Sequence, residues 1–328
     1  MKNILVTGVL YQPFGSFSAV SQSDDGIIWD EPTQPFPTND SPTSISTDGI
    51  SVVVSNSVGQ LAVSENLQDF SIITIDPDIA IVSVAHQNGE WLVVGNKKCV
   101  TQYGPYPAGS EISQLYKATD VYSDWSMSWT NPNHQSRTYQ MKWIDDGPIN
   151  EATTSSMWIM CGSKDNNSGD AWYSLDGGNT WNQIVVPDAV ERILSVELVN
   201  LDGETFWYWG SNGRLYRSLS LEDTDWREIN VNENDAIVDL MFNEDVMVIC
   251  GQNRLYSTND GVYLKVQEYP GYVFDRLARL TVNGSDRWIA FARSTLTQYT
   301  QWTSDDLTTW TPRNNSLHVT DYVITGFN

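Results

Sequence analysis

Cysteine and histidine are scarce in this sequence, with three of each among 328 residues. Cys99, Cys161 and Cys250 are an odd set with no C-x-x-C pair, which excludes a disulfide framework and a cysteine zinc site. His86, His134 and His318 lack metal-ligand spacing, so none is assigned as a metal ligand or a catalytic base. Basic residues are also few, 18 against 41 acidic ones, for a formal charge of -23. A surface of that sign repels phosphate backbones and anionic headgroups, so nucleic acid is not an expected partner. No apolar run has the length of a membrane-spanning helix, and Ile4-Leu5-Val6 breaks at Thr7-Gly8, too early for a signal-peptide core. The expectation is a chain made in the cytoplasm, with no signal peptide and no membrane insertion. The opening strand is not followed by a G-x-G-x-x-G loop and helix, so no dinucleotide or other cofactor is expected.

Aromatic residues are plentiful, with 14 Trp and 15 Tyr, enough apolar area for a large core. A short motif recurs seven times along the chain: Ser or Thr, any residue, Asp, Asn or Glu, often Gly or Leu, then a large apolar residue. Its copies run from Ser23-Asp24-Asp25-Gly26 to Trp29, Ser64-Glu65-Asn66-Leu67 to Phe70, and Ser123-Asp124-Trp125 to Trp129. The fullest copy is Ser174-Leu175-Asp176-Gly177-Gly178-Asn179-Thr180-Trp181. The last three are Ser220-Leu221-Glu222 to Trp226, Thr258-Asn259-Asp260-Gly261 to Leu264, and Ser304-Asp305-Asp306-Leu307 to Trp310. The spacing averages about 47 residues, a period typical of propellers and arrays.

Before each motif lies a β-rich run ending in a small residue, among them Ile4-Leu5-Val6-Thr7-Gly8, Val52-Val53-Val54-Ser55, Ile159-Met160-Cys161-Gly162 and Val248-Ile249-Cys250-Gly251. A small residue there fits a buried strand with close backbone packing, and it marks Cys161 and Cys250 as core residues. A further strand lies upstream, joined through Asp48-Gly49, Asn88-Gly89, Asp146-Gly147, Asp202-Gly203 or Asn283-Gly284, pairs that supply positive φ to hairpin turns. Each unit is therefore four strands, A to D, with the Ser-x-Asp motif as the C–D turn. The prediction is an all-β, seven-bladed β-propeller over residues 1–328, a single domain. The strand Thr320–Phe327 should complete the first blade beside Asn3–Gly8 and close the ring, removing two sheet edges.

The motif resembles the Asp-box, or BNR, repeat, and the chain is similar to Asp-box β-propellers over its whole length. That family includes sialidases and other glycosidases, sortilin-like receptors, photosystem assembly factors and phage structural propellers, so the resemblance fixes fold and not function. It implies a structural role for the turn residues Ser23, Asp25, Gly26, Trp29, Ser174, Asp176, Gly178, Trp181, Asp260, Gly261, Asp306 and Trp310. A sialidase-type site would need an arginine triad with a tyrosine nucleophile, a glutamate and an aspartate. Arg137, Arg192, Arg276 and Arg279 lie on predicted A strands, yet the Arg-Ile-Pro signature is absent. Paired carboxylates carry no signal in so acidic a chain.

Asp165-Asn166-Asn167-Ser168-Gly169-Asp170 is oxygen-rich but lacks EF-hand spacing, and it reads as a B–C loop rather than a metal site. Long insertions at 31–42, 97–113 and 163–170 all belong to the face carrying the B–C and D–A connections. Within the second, Tyr103-Gly104-Pro105-Tyr106-Pro107 suits partner docking or sugar stacking, or equally an Ω-like loop packed on its own blade. Tyr103, Tyr106, Asp165 and Asn167 are the candidate binding residues. The reading is a non-catalytic interaction propeller of a bacteriophage virion, tail or capsid-associated and present in several copies. Its partners would be other virion proteins or a host receptor or glycan. The alternative is a glycan-active propeller of the sialidase type.

Overall fold

Short runs of β-branched and aromatic residues, cut by Gly, Asn and Asp, pair most readily with their immediate neighbours in the chain. The computed structural model, which describes residues 3–325 apart from 13–14, 38–39, 123–124, 134, 165–167, 202, 234, 244, 295–298 and 315–316, follows that rule throughout. The first sheet holds β1 (Asn3–Gln12) and β2 (Gly15–Ser23). The second is β3 (Pro42–Thr47), β4 (Val52–Asn56), β5 (Gln60–Ser64) and β6 (Ser71–Thr74), and the third is β7 (Ile79–Gln87), β8 (Glu90–Lys98), β9 (Glu111–Ala118) and β10 (Ser126–Thr130). The fourth is β11 (Arg137–Asn150), β12 (Thr153–Lys164), β13 (Ser168–Ser174) and β14 (Asn182–Gln183). The fifth follows with β15 (Ile193–Leu201), β16 (Glu204–Ser211), β17 (Arg214–Ser218) and β18 (Arg227–Ile229). The sixth is β19 (Asp239–Asn243), β20 (Val246–Cys250), β21 (Arg254–Thr258) and β22 (Lys265–Glu268). The seventh is β23 (Tyr272–Val282), β24 (Ser285–Ser294), β25 (Tyr299–Ser304) and β26 (Thr311–Asn314), after which β27 (Leu317–Thr325) returns to pair antiparallel with β1. The fold is a seven-bladed β-propeller of antiparallel blades, closed by the pairing of β27 with β1, and the described residues contain no helix.

The chain divides into two compact units, Met1–Val93 with Lys117–Trp125 and Gly271–Asn328, and Val94–Tyr116 with Ser126–Pro270. In the first, Ile4, Val6 and Ala19 pack on Ala278, Leu280, Ile289 and Phe291 of the seventh sheet. On the other side, Leu5, Val20 and Phe36 pack on Ile45, Val52, Val54 and Ala62 of the second. In the second unit, Ile159 and Met157 of the fourth sheet meet Trp207, Trp209 and Trp226 of the fifth. Tyr208 and Leu215 in turn meet Leu240, Met247 and Ile249 of the sixth. Each fully buried side chain of this kind contributes roughly 1.5–3 kcal/mol, so the packing of blade faces dominates stability.

The small residues that end the B-strand runs face a recurrent irregularity. Five A strands carry a β-bulge at the same place, one extra residue opposite the pairs Gly8/Thr7, Ser55/Asn56, Gly162/Cys161, Gly210/Ser211 and Ala292/Phe291. A Cβ on Gly8 would lie 1.9 Å from the His318 carbonyl oxygen, and one on Gly162 would lie 1.8 Å from that of Arg137, so a larger side chain cannot sit there. A bulge re-aims the side chain that follows it, and in four of the five that side chain reaches the next blade. In the first unit, the Asp321 carboxylate accepts from Ser44 Oγ at 2.6 Å and from the Ile45 amide at 3.1 Å. Ser44 Oγ in turn accepts from the Val84 amide at 3.2 Å. In the second unit, Gln140 Oε1 accepts from the Val196 amide at 2.9 Å, and Ser195 Oγ donates to the Ile237 carbonyl at 3.1 Å.

Three expectations are corrected. Asp146-Gly147 is not the hairpin turn, because β11 runs on to Asn150 and the chain reverses at Glu151-Ala152. Asp146, with φ 51°, sits in a bulge, and Gly147 is required because the Trp207 ring would lie 2.6 Å from any Cβ there. The first blade has three strands among the described residues, with only a Val20–Thr33 bridge along the outer side of β2. Pro32, Pro35 and Pro37 have no amide to donate and so prevent a fourth ladder. The C-terminal strand begins at Leu317, earlier than Thr320, and Phe327 lies outside the described residues.

Candidate interaction surface and the polar clusters

The Ser-x-Asp turns come first because they hold the residues that the sequence singled out. In the first, Ser23 Oγ donates to Asp25 Oδ1 and accepts from the Gly26 amide at 2.9 Å, while Asp25 Oδ1 accepts from the amides of Ile27 and Ile28 at 2.8 and 2.9 Å. The same pattern closes the turns of Ser64 and Asn66, Ser174 and Asp176, Thr258 and Asp260, and Ser304 and Asp306. Gly26, Gly178 and Gly261 have φ of 67°, 85° and 68°, and Leu67 and Leu307 adopt the same conformation at 61° and 57°. Trp29 Nε1 donates to Gln301 Oε1 on the seventh sheet at 2.8 Å, and Gln301 Nε2 donates back to the Gly26 carbonyl. Trp181 packs at a tilt against Trp129 of the third sheet, with ring centres 5.7 Å apart, while Trp310 is buried. These carboxylates are consumed by turn amides.

One motif copy is corrected, and another lies partly outside the described residues. Ser220-Leu221-Glu222 makes no such turn, and the amides of Leu221 and Glu222 donate instead to the Pro148 and Ile149 carbonyls of the fourth blade. The carboxylate of the fifth turn is Asp223, which accepts from the amides of Leu219 and Asp225. In the third blade Ser123 and Asp124 lie outside the described residues. There Asp120 accepts from the Tyr122 amide at 2.9 Å, and Trp125 Nε1 donates to the Val121 carbonyl as Trp181 Nε1 does to Gly178.

These turns set a pH dependence. Burial pushes the carboxyls of Asp25 and Asp176 up, but the amides of Ile28, Ile27 and Thr180 outweigh it and hold both below the usual range. Amides at Tyr263 and Val262 lower Asp260, and those at Thr309 and Thr308 lower Asp306. A carboxyl whose folded pKa lies below its unfolded one stabilises the fold fully above the unfolded value, near 4, and loses that contribution as pH falls toward the folded one. Denaturant midpoints should therefore fall between pH 5 and pH 2.5, and an Asp176→Asn/Asp260→Asn variant should show a shallower fall. An equal slope in the two proteins would contradict this account.

The arginines proposed for a substrate clamp have local partners. Arg137 pairs with Glu111 at 2.6 Å, Arg279 with Asp286 at 3.4 Å, and Arg276 Nη1 donates to the Asp275 carbonyl. Arg192 precedes β15, which begins at Ile193, so the structure does not place it on an A strand. A different group comes together on the A strands of the second unit. Lys142 on β11 donates to Glu197 on β15, with Asp239 on β19 close by. Burial works against the Lys142 charge, yet the two carboxylates hold its pKa up. The same burial, with Asp239, raises Glu197 despite Lys142.

His86 packs at a tilt against Trp91, with ring centres 4.8 Å apart, and His318 Nε2 lies 3.5 Å from Asp275, while His134 lies outside the described residues. All three cysteines are buried, and burial pushes the Cys161 thiol up to about 12 in spite of Lys142, so it is not a nucleophile at neutral pH. Among the described residues no group of three or more His, Cys, Asp or Glu could hold a metal. Asp165 and Asn167 lie outside the described residues. Asp170, at the end of the oxygen-rich loop, is buried and accepts from Asn131, Asn133, Trp172 and Gln183, which leaves it no capacity for an ion.

The 97–113 insertion separates the two tyrosines that the sequence grouped. Tyr106 is buried with Cys99 and Ile112, and its hydroxyl donates to the Asn131 carbonyl at 2.7 Å. Burial raises its pKa, as expected of an anchor. Paired backbone bonds between Tyr103 and Tyr106, both 2.9 Å, and a Cys99–Ser110 bond of 2.8 Å fix the loop. Tyr103 is 37% exposed, with Lys97 Nζ 5.2 Å from its ring centre, and neighbouring Val100 is 85% exposed. The result is a rigid loop with one anchored and one offered aromatic side chain. Gln114 was not legible as a site residue. Fully buried, it donates to Tyr103 Oη at 3.4 Å and to Met127 Sδ at 3.3 Å and so joins the loop to β10.

No protein-family model matches the chain, and no curated protein matches it. Among solved structures it is similar to YCF48 bound to a D1 peptide, with 15% identity, a TM-score of 0.58, and coverage of 85% of this chain and 82% of that one. It is also similar to the WD40 β-propeller domain of Doa1, at 12% identity and TM-score 0.56 over 92% and 97% of the two chains. The computationally designed protein Ika8 matches at 11% identity and TM-score 0.53 over 88% and 92%. At these identities the likeness shows the β-propeller fold alone.

Proposed function

We propose that this chain is a non-catalytic interaction propeller of the Asp-box type, serving as a structural component of a bacteriophage virion that binds protein through its B–C loop face. The observation that carries the reading is the loop of residues 97–113: Tyr106 is locked to Asn131 so that Tyr103 and Val100 stand outward on a rigid base. Rigid aromatic tips give contact area at little entropic cost. The propeller of YCF48, which holds a peptide in its solved structure, is a precedent on the same fold. In support, two of the arginines weighed for glycoside chemistry are paired locally, Arg137 with Glu111 and Arg279 with Asp286.

Two measurements test the reading. In particles of the source virus, the chain should be recovered in constant copy number, and its absence would overturn the virion role. Turnover of a fluorogenic glycoside panel, lost on Arg192→Ala, would overturn the non-catalytic one. Within the loop, Tyr103→Ala should weaken capture of the particle partner at least about tenfold while leaving the melting temperature unchanged, as for a contact side chain. Tyr106→Ala should instead lower the melting temperature, because it empties a buried site and strands the Asn131 carbonyl.

A further inference from the structure

Acidic residues make up 41 of 328, one in eight, yet residues 91–110 and 125–144 contain no Asp or Glu at all. At the average density those 40 residues would carry about five. The two segments meet in space, through Tyr106 Oη on the Asn131 carbonyl and through Gln114 between Tyr103 and Met127. Carboxylates bordering the region are occupied, Glu111 by Arg137 and Asp170 by its four side-chain donors. What the region offers outward is Lys98, Val100, Tyr103 and Met127, with Lys97 over the Tyr103 ring. On a chain of charge -23 this is a local apolar patch of positive sign.

The complementary surface is also present on the chain. In the first unit, Tyr122 is 50% exposed and Ile50 is 68% exposed, each amide capped by a carboxylate, Asp120 and Asp48 respectively. Burial first, and then the carboxylates of Glu65, Asp120 and Asp48, raise the Tyr122 hydroxyl pKa, so three negative groups lie within electrostatic reach of one aromatic side chain. We infer that the Lys97–Tyr103 patch of one copy docks on the Tyr122–Ile50 surface of a second copy. The inference rests on the interaction reading above and names its partner as the chain itself. Two different surfaces of the same chain make a heterologous, head-to-tail contact, which builds a ring or an open stack rather than a two-fold dimer. Electrostatics give it a signature. Repulsion between copies of like net charge acts over many ångströms and is screened first, whereas opposite charges in contact yield only to higher salt.

The test is sedimentation of the purified chain at rising concentration in 10 mM, 150 mM and 1 M salt. Concentration-dependent oligomers should be strongest at the middle salt. A Lys97→Glu/Lys98→Glu variant and a Glu65→Lys variant, both melting like wild type, should each raise the dissociation constant at least about tenfold. Mixing those two variants should restore a one-to-one complex that neither forms alone. A chain that stays monomeric at every salt overturns the inference, as does self-association unmoved by the charge changes. If a monomeric wild type still captures particle proteins through Tyr103, only the copy-to-copy contact fails. If neither occurs, the interaction reading falls as well.

Discussion

Truncation after Ser316 should lower the melting temperature by more than about 10 °C and make the protein aggregate on concentration. β27 pairs with β1 from Asn3↔Thr325 to Leu10↔Leu317, and it brings the buried Val319 into the core of the first and seventh sheets. Loss of that ladder and of its apolar side chains costs at least about 5 kcal/mol. At roughly 2–4 °C per kcal/mol for a chain of this size or somewhat smaller, the shift is large. The exposed edge of β1 is also a row of unpaired amides and carbonyls next to Ile4, Leu5 and Val6, a template for other strands. Calorimetry and light scattering read the two effects, and a synthetic peptide of residues 317–328 added in excess should recover part of the stability. A truncated chain that melts like the full one would show that closure by β27 contributes nothing.

Asp321→Ala is expected to be the most damaging single substitution outside the apolar core, at about 3 kcal/mol. It strands Ser44 Oγ and the Ile45 amide and removes a negative charge that Arg276 favours. Burial raises the Asp321 pKa even though Arg276, Ser44 and the Ile45 and Tyr322 amides favour its charged form. Its sign in acid is therefore opposite to that of the turn carboxylates: ionised above its raised folded pKa it costs stability, and the cost disappears as pH falls through that value. Asp321→Asn keeps one acceptor and gives up the charge, and it should lose only about 1 kcal/mol. Denaturant midpoints of the two variants, taken in parallel with Arg276→Ala and the double variant, measure the coupling. Equal losses from Ala and Asn would place the energy in packing and remove the hydrogen-bond account.

Much of this fold is legible in the residues because the same local instructions repeat. Gly8 and Gly162 end β-rich runs at matching positions, and the period of the turns sets the number of blades. The bulges were not legible. An extra residue in one strand is defined by the strand it pairs with, and nothing in Thr320-Asp321 or Thr43-Ser44 announces it. For the same reason Asp321 reads as an ordinary edge residue until its partner across the blade is known. The misplaced fifth turn has another cause. In a chain rich in Ser and Asp, Ser-x-acidic triplets occur by chance, and only the end of the C strand at Ser218 decides which copy is used. Tyr103 and Tyr106 look alike in sequence, and their roles diverge because one hydroxyl reaches the Asn131 carbonyl while the other does not.

The proline-interrupted margin of the first blade carries a consequence for how copies of this protein can accumulate. A strand drifting alongside residues 30–37 meets carbonyls but, at Pro32, Pro35 and Pro37, no N–H to answer its own, so the pairing that seeds lateral growth of fibres finds no purchase there. Replacing those prolines with threonine or valine would complete a fourth ladder and, with it, open a flank onto which other chains could zip.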